Sequence, residues 1–498
     1  VTARADFDLL VVGGGINGAG IARDAAGRGL RVLLCERDDL AAHTSSGSTK
    51  LVHGGLRYLE HYDFGLVRKA LQEREVLLEA APHVIWPLRF VMPHDAHLRP
   101  AWMIRAGLLL YDHLARRRRL PASGSIDLRR HPAGAPLDAR YTQGFVYSDA
   151  WVEDSRLVAL NALDARERGA EVLTRTTCTA LRRNARGWSA TLLRGDGNVR
   201  EVTARAVVNA AGPWAAAFLD EAVGQPATAA LRLVKGSHIV VRRLFEHEFA
   251  YIFQAPDRRI VFAIPYEQDF TLVGTTDVEY SGDPARVAID QDEVRYLLDM
   301  IRRCFARELD ARDVVWHYSA VRPLLEDEAA DPSAVTRDYQ LKLDDRGAPL
   351  LSVFGGKITT FRKLAEEAVD RIVAALGERR PAWTARAALP GGDLPGADFA
   401  AFLVAATTRY PFLPAPLLRR LARAYGTRIE QLIGDARSLA ELGEAVLPGL
   451  YAREVEYLRE QEWVVSAADL LWRRSKLGLH LPADAEVRLQ RWLEEHPR

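Results

Sequence analysis

Cysteine and methionine are scarce, three of each in 498 residues, and no CxxC pair occurs. Cys35, Cys178 and Cys304 stand far apart, in segments that read as strand, strand and helix. That spacing argues against a disulfide framework or a cysteine metal site and leaves small buried hydrophobes in a reducing compartment. No apolar run approaches the ~18 residues of a spanning helix. Neither a secretion signal nor a transit peptide is visible before the first strand. No internal repeat is apparent. An excess of one charge is also missing. Lys and Arg number 67 against 66 Asp and Glu, which removes the general electrostatic case for nucleic acid as a partner. What remains, 48% apolar and 27% charged, is the composition of a folded protein of two or three domains.

The first strong pattern is DLLVVGGGINGAGIARDAAGRGLRVLLCER. An apolar strand, Leu9 to Val12, runs into Gly13, Gly15 and Gly18, then an Ala-rich helix, then a second strand from Val32 to Cys35 that ends at Glu36. This is a βαβ unit with GxGxxG at its turn. Gly13 turns the chain, Gly15 lets backbone approach a pyrophosphate, and Gly18 lets helix pack on sheet. The helix N-terminus then offers free N–H groups to the phosphates. Glu36 lies ~20 residues beyond the glycines, where an acidic side chain takes ribose hydroxyls. A dinucleotide is the expected ligand.

FAD and NAD both use such a unit, and two distant segments favour FAD. ARAVVNAAGPW at 204–214 is a strand ending in small residues. LLSVFGGKITTFRKLAEEAV at 350–369 is a strand, two glycines and an amphipathic helix. A helix start near Lys357 to Thr360 can stabilise negative charge on a reduced flavin. Between them, LRLVKGSHIVVRR, RRIVFAIPYE and DFTLVGTTD alternate as short strands, an antiparallel sheet suited to hold substrate. After ALPGGDLPGAD at 388–398, read as a linker, the chain is helical, and Ser466 with Asp469 forms a variant capping box. The expected fold is α/β: a Rossmann-like FAD-binding domain (1–85, 140–225 and 340–378), an inserted antiparallel β-sheet substrate domain (86–139 and 226–339) and a C-terminal all-helical cap (388–498).

The stretches VVGGGINGAGIARDAAGRGL, TSSGSTKLVHGGLRYLEHYDFGLV, KGSHIVV, VGTTDVEYSGDP, YSAVRPL, TRDY and LLSVFGGKITTFRKLAE together resemble the FAD-dependent glycerol-3-phosphate dehydrogenases of aerobic respiration. The resemblance covers nearly the whole chain. No D-x-D-x-D-G calcium loop of the mitochondrial members is found, so the chain looks like the bacterial form. The resemblance implies oxidation of sn-glycerol 3-phosphate to dihydroxyacetone phosphate, with electrons passing through FAD to a membrane quinone. It implies cofactor contacts at Gly13, Gly15, Asn17, Gly18, Glu36, Thr44, Ser45, Ser46, Ser48, Lys50, Leu51, His53, Gly54, Gly212, Gly356, Lys357 and Thr359. Arg57, Tyr58, Arg322, Arg337 and Lys357 match family positions near the substrate, and arginine suits a phosphate because its planar fork makes two parallel bonds. A base is needed for the hydroxyl proton. The candidates are His238 in KGSHIVV, which is preferred, and His53, with Arg322 and Lys357 as further catalytic groups. No metal is expected.

RPAWMIRAGLLLYDHLARRRRL at 99–120 joins Trp102, Met103 and a short apolar run to four arginines. It reads either as a headgroup-layer segment facing anionic lipid or as a buried helix with a solvated basic end. Quinone reduction favours the former, hence peripheral attachment to the inner face of the cell membrane, and a homodimer is the expected assembly. Three other functions stay open: a glycerol-3-phosphate oxidase using oxygen, an amine or amino-acid oxidase of the same fold, and a non-catalytic flavin-binding membrane scaffold.

Overall fold

The structure is a computed structural model that describes residues 5–56, 59, 63–95, 98–185, 187–226, 229, 231–325 and 339–497. Its first strand β1 (Phe7–Val12), helix α1 (Ile16–Gly27) and second strand β2 (Val32–Cys35) form the expected βαβ unit. The strands are apolar on both faces because they lie in the parallel centre of a mixed sheet covered on both sides. The order across it is Gln340–Asp344, Leu350–Phe354, Val199–Asn209, β1, β2, Glu171–Leu173. The return segments at 204–214 and 350–369 thus enter the same sheet as the glycine motif, parallel to β1 and to each other.

Helix α1 is buried on nearly every side. Its charges are therefore paired: Arg23 with Asp164 at 2.6 Å on helix Asp154–Glu167, and Asp24 with Arg28 at 2.6 Å. Removing one partner of a buried pair typically costs ~3–5 kcal/mol.

The second sheet contains ten strands among the described residues. Leu231–Arg242, Ile260–Tyr266 and Phe270–Gly274 pair antiparallel within it. Helix Gln291–Cys304, opened by a capping box of Asp290 and Glu293, covers one face. Gln143–Val152, grouped above with the dinucleotide segments, hydrogen-bonds instead in this second sheet, beside Ile85–Pro93, Leu51–Val52 and Gly124–Asp127. Buried along almost its whole length, it carries no alternation to say which sheet it joins.

The C-terminal helices begin at Phe399 and surround their own core, with one short hairpin, Ala445–Leu447 and Leu450–Tyr451, among them. Ser466 and Asp469 exchange backbone and side-chain bonds as expected. Buried ion pairs fasten this unit to the rest: Arg474 grips both oxygens of Asp39 at 2.7 and 2.8 Å, and Arg156 grips Glu462. The segment at 388–398 is embedded rather than loose, since Leu389 N–H donates to Ala80 O and Gly391 O accepts from Thr427 N–H.

His83 lies at this junction, fully buried, with neither ring nitrogen hydrogen-bonded among the described residues. Burial, helped by Arg156 and Arg423, lowers its pKa to about 3. An unfolded His83 takes a proton near pH 6.5 and the folded one does not, so its share of stability is intact above pH 6.5 and is lost as pH falls toward 3. Between pH 7 and 5 the wild type should lose ~2 kcal/mol more than His83→Gln. Urea melts at both pH values check this, and equal losses would refute it.

Candidate functional site

Two cavities frame the candidate site, one at the glycine turn and one between the 49–56 stretch and the second sheet. The first, about 400 Å³, is lined by Gly13, Gly15, Glu36, Thr44, Ser45 and Gly212 among others. Gly13 has φ +112°, and a side-chain carbon there would overlap Ala210 O; one at Gly18 would overlap Gly13 O. Helix α1 starts with no side-chain cap at Gly15 and no acidic residue in its first turn, which leaves its N-terminus suited to an anion. Ile16 N–H donates to Ser45 Oγ at 3.0 Å. Asn17 Nδ2 donates to Gly355 O at 3.1 Å, while its buried Oδ1 has no partner among the described residues. Glu36 accepts from Gly14 N–H at 2.6 Å and Asp38 N–H at 2.8 Å, so it also braces the turn. Burial outweighs these bonds and holds its carboxyl above the usual range.

Part of the hydroxyl-rich stretch points inward. Ser48 Oγ and Lys50 Nζ both bond Asp154, at 2.8 and 2.7 Å, Ser46 Oγ donates to His43 O, and Thr44 Oγ1 donates to Val321 O. Ser46, Ser48 and Lys50 shape the stretch from within. Leu51, His53 and Thr49 reach the second cavity, of about 390 Å³. His53 N–H donates to Thr359 Oγ1 at 3.2 Å, which ties the stretch to the turn carrying Gly356 and Lys357. Gly54 N–H donates to Tyr111 Oη at 2.8 Å, and Tyr111 in turn donates to Asp149, the partner of buried Arg74.

The opposite wall carries Thr275, Asp277 and Arg322, between apolar residues such as Phe90, Ile252 and Phe262. Arg322 pairs with Asp277 and donates to Thr275 Oγ1 at 2.7 Å. His238 is placed differently from the expectation. It is fully buried between the Gly274 backbone and the Tyr318 ring, 4.8 Å away, and reaches the cavity through Thr49 Oγ1, 3.0 Å from Nε2. Burial, then Arg322 and Lys50, holds its pKa well below the ordinary value, so the ring is neutral. Arg57, Tyr58 and Arg337 lie outside the described residues.

Sequence reasoning passed over Tyr111, Asp149 and Asp277. Asp277 stood in the quoted VGTTDVEY only as a family mark. Tyr111 sits on the far side of helix Ala101–His113 from Trp102 and Leu109, which its helical spacing does indicate.

Residues 8–362 match the FAD dependent oxidoreductase family, and residues 382–494 match the C-terminal domain of alpha-glycerophosphate oxidase. The chain belongs to the FAD-dependent oxidoreductase family. It is 55% identical over 494 residues to a glycerol-3-phosphate dehydrogenase of Pseudomonas aeruginosa, covering 99% of this chain and 96% of the relative. It is 49% identical over 489 residues to a D-erythritol 1-phosphate dehydrogenase of Brucella abortus, covering 98% and 97%. Among solved structures, the glycerol-3-phosphate dehydrogenase from Bacillus halodurans complexed with FAD superposes with TM-score 0.79 at 29% identity, over 98% of this chain and 90% of that one. The oxidoreductase is thus an FAD enzyme, and its residues fit the cofactor: a glycine cradle that a Cβ would fill, an uncapped helix start and the orphaned Asn17 Oδ1.

Gly18→Val should purify without flavin, because its side chain would collide with the Gly13 carbonyl. Flavin absorbance per mole of protein tests this, and retention of the wild-type flavin content would contradict it.

Proposed function

We propose that this oxidoreductase converts sn-glycerol 3-phosphate to dihydroxyacetone phosphate and that a membrane quinone takes the electrons onward. The observation that carries the reading is the second cavity, where the flavin stretch at Thr49 and His53 meets Arg322 and Thr275. Oxidising a secondary alcohol removes a hydride from carbon and a proton from oxygen. FAD, when bound, supplies the hydride acceptor. His53 lines the cavity and is the proposed proton acceptor in preference to His238. Neutral His238 positions the Thr49 hydroxyl. Arg322, partly offset by Asp277, serves the reacting end of the substrate. Lys357, Arg57, Tyr58 and Arg337 are the proposed phosphate side.

Among the described residues no helix is long and apolar enough to cross a membrane. Helix Ala101–His113 exposes Trp102 at 71%, Leu109 at 50% and Leu110 at 42%, which supports a face seated in the headgroup layer on the inner side of the cell membrane. The basic end is only partly available to lipid: Arg118 pairs with Glu79, and Arg119 donates to Gly396 O.

Holoenzyme given glycerol 3-phosphate should reduce a soluble quinone analogue much faster than oxygen. Strong quinone-independent peroxide formation would replace the quinone reading with an oxidase. The Brucella relative makes a longer polyol phosphate the second reading, and kcat/KM for glycerol 3-phosphate against D-erythritol 1-phosphate separates the two.

Arg322→Ala should keep its flavin and lose roughly 100-fold or more in kcat/KM, the scale of one lost charged donor at a reacting oxygen. An unchanged value would remove Arg322 from the substrate site.

A further inference from the structure

A polyol phosphate presents a charged end and a hydroxyl end, and the cavity must tell them apart. Among the described residues two carboxylates line it, Asp149 and Asp277. Asp149 is committed: it accepts from Tyr111, Arg74 and Gly54 N–H, and its side chain is 3% exposed. Asp277 is open to the cavity, with its side chain 20% exposed. Its Oδ1 takes Arg322 Nη1, and its Oδ2 accepts no hydrogen bond among the described residues.

The support behind Asp277 is rigid. Between Thr275 and Asp277, both on the cavity wall, Thr276 turns inward. Its hydroxyl donates to Glu293 at 2.6 Å and accepts from Ser237 N–H at 2.9 Å. Glu293 is itself held by Lys235 at 2.7 Å. A side chain presented from such a backbone loses little freedom on binding.

We propose that Asp277 is a specificity-determining residue whose Oδ2 accepts the hydroxyl at the non-reacting terminal carbon of the substrate, the carbon farthest from the phosphate. This rests on the polyol-phosphate reading above. The carboxylate accepts a hydroxyl proton and repels an anion, so it selects an alcohol at that end over a carboxylate such as that of an amino acid. Arg322 beside it then stands against the neighbouring, reacting oxygen.

The test compares kcat/KM for sn-glycerol 3-phosphate with that for the propane-1,2-diol 1-phosphate of matching configuration, which lacks only the terminal hydroxyl. Wild-type holoenzyme should prefer glycerol 3-phosphate by about 100-fold, the scale of a hydrogen bond to a charged group. Asp277→Ala should bring the two substrates to near parity, and Asp277→Asn, which retains a neutral acceptor, should restore part of the preference. A purely structural role would slow both substrates alike and keep the ratio. An unchanged ratio in Asp277→Ala overturns the assignment, as does a wild type that does not discriminate. The wild-type comparison needs no variant to fold. Turnover of neither substrate by flavin-loaded wild type would instead defeat the polyol-phosphate reading itself.

Discussion

Close backbone approach at the start of α1 is the constraint on which the rest of the site depends. The carbonyls of Gly13 and Ala210 occupy the space that side chains at Gly18 and Gly13 would fill. With the backbone that close, three segments from distant parts of the chain meet at one helix end. Asn17 binds Gly355 across 338 residues, His53 binds Thr359 across 306, and Ile16 binds Ser45 across 29. Each is a single hydrogen bond of modest net worth. Together they fix where the stretch from Ser45 to His53 passes, and that stretch lines the second cavity at Thr49, Leu51 and His53.

Charge is handled inside the fold by pairing rather than exposure. Lys50 is fully buried but answered by Asp154, and Arg74 by Asp149. The same logic separates the two histidines. His238 is enclosed by an aromatic ring and backbone, with cations nearby, and stays neutral. His53 sits on the cavity wall. The exposed apolar helix Ala101–His113 is joined to this interior through Tyr111, which takes the Gly54 N–H, so one element serves both the surface and the cavity wall.

The βαβ unit was legible because each glycine has a spacing requirement, and β2 spans Val32–Cys35 as read. The antiparallel strands were legible from alternation, and the return of the chain to the first sheet from a strand followed by paired glycines. The bonding of Ser48 and Lys50 to Asp154 was not, because Asp154 lies more than a hundred residues away and polar side chains look alike whether they face a ligand or a buried partner. The enclosure of His238 was hidden for a related reason. Its strand was correctly placed, with Gly274 opposite it, but the enclosing Tyr318 comes from another strand. Strand Gln143–Val152 carried no periodicity to reveal its sheet. Arg57, Tyr58 and Arg337 remain expectations from the resemblance.

The central claim is that the second cavity presents a polyol phosphate to FAD held at the glycine turn. Anaerobic titration of the purified holoenzyme with sn-glycerol 3-phosphate tests it most directly. The account predicts that the oxidised-flavin absorption band bleaches as substrate is added, without any other electron donor. A band that persists at saturating substrate, yet bleaches with dithionite, would contradict it.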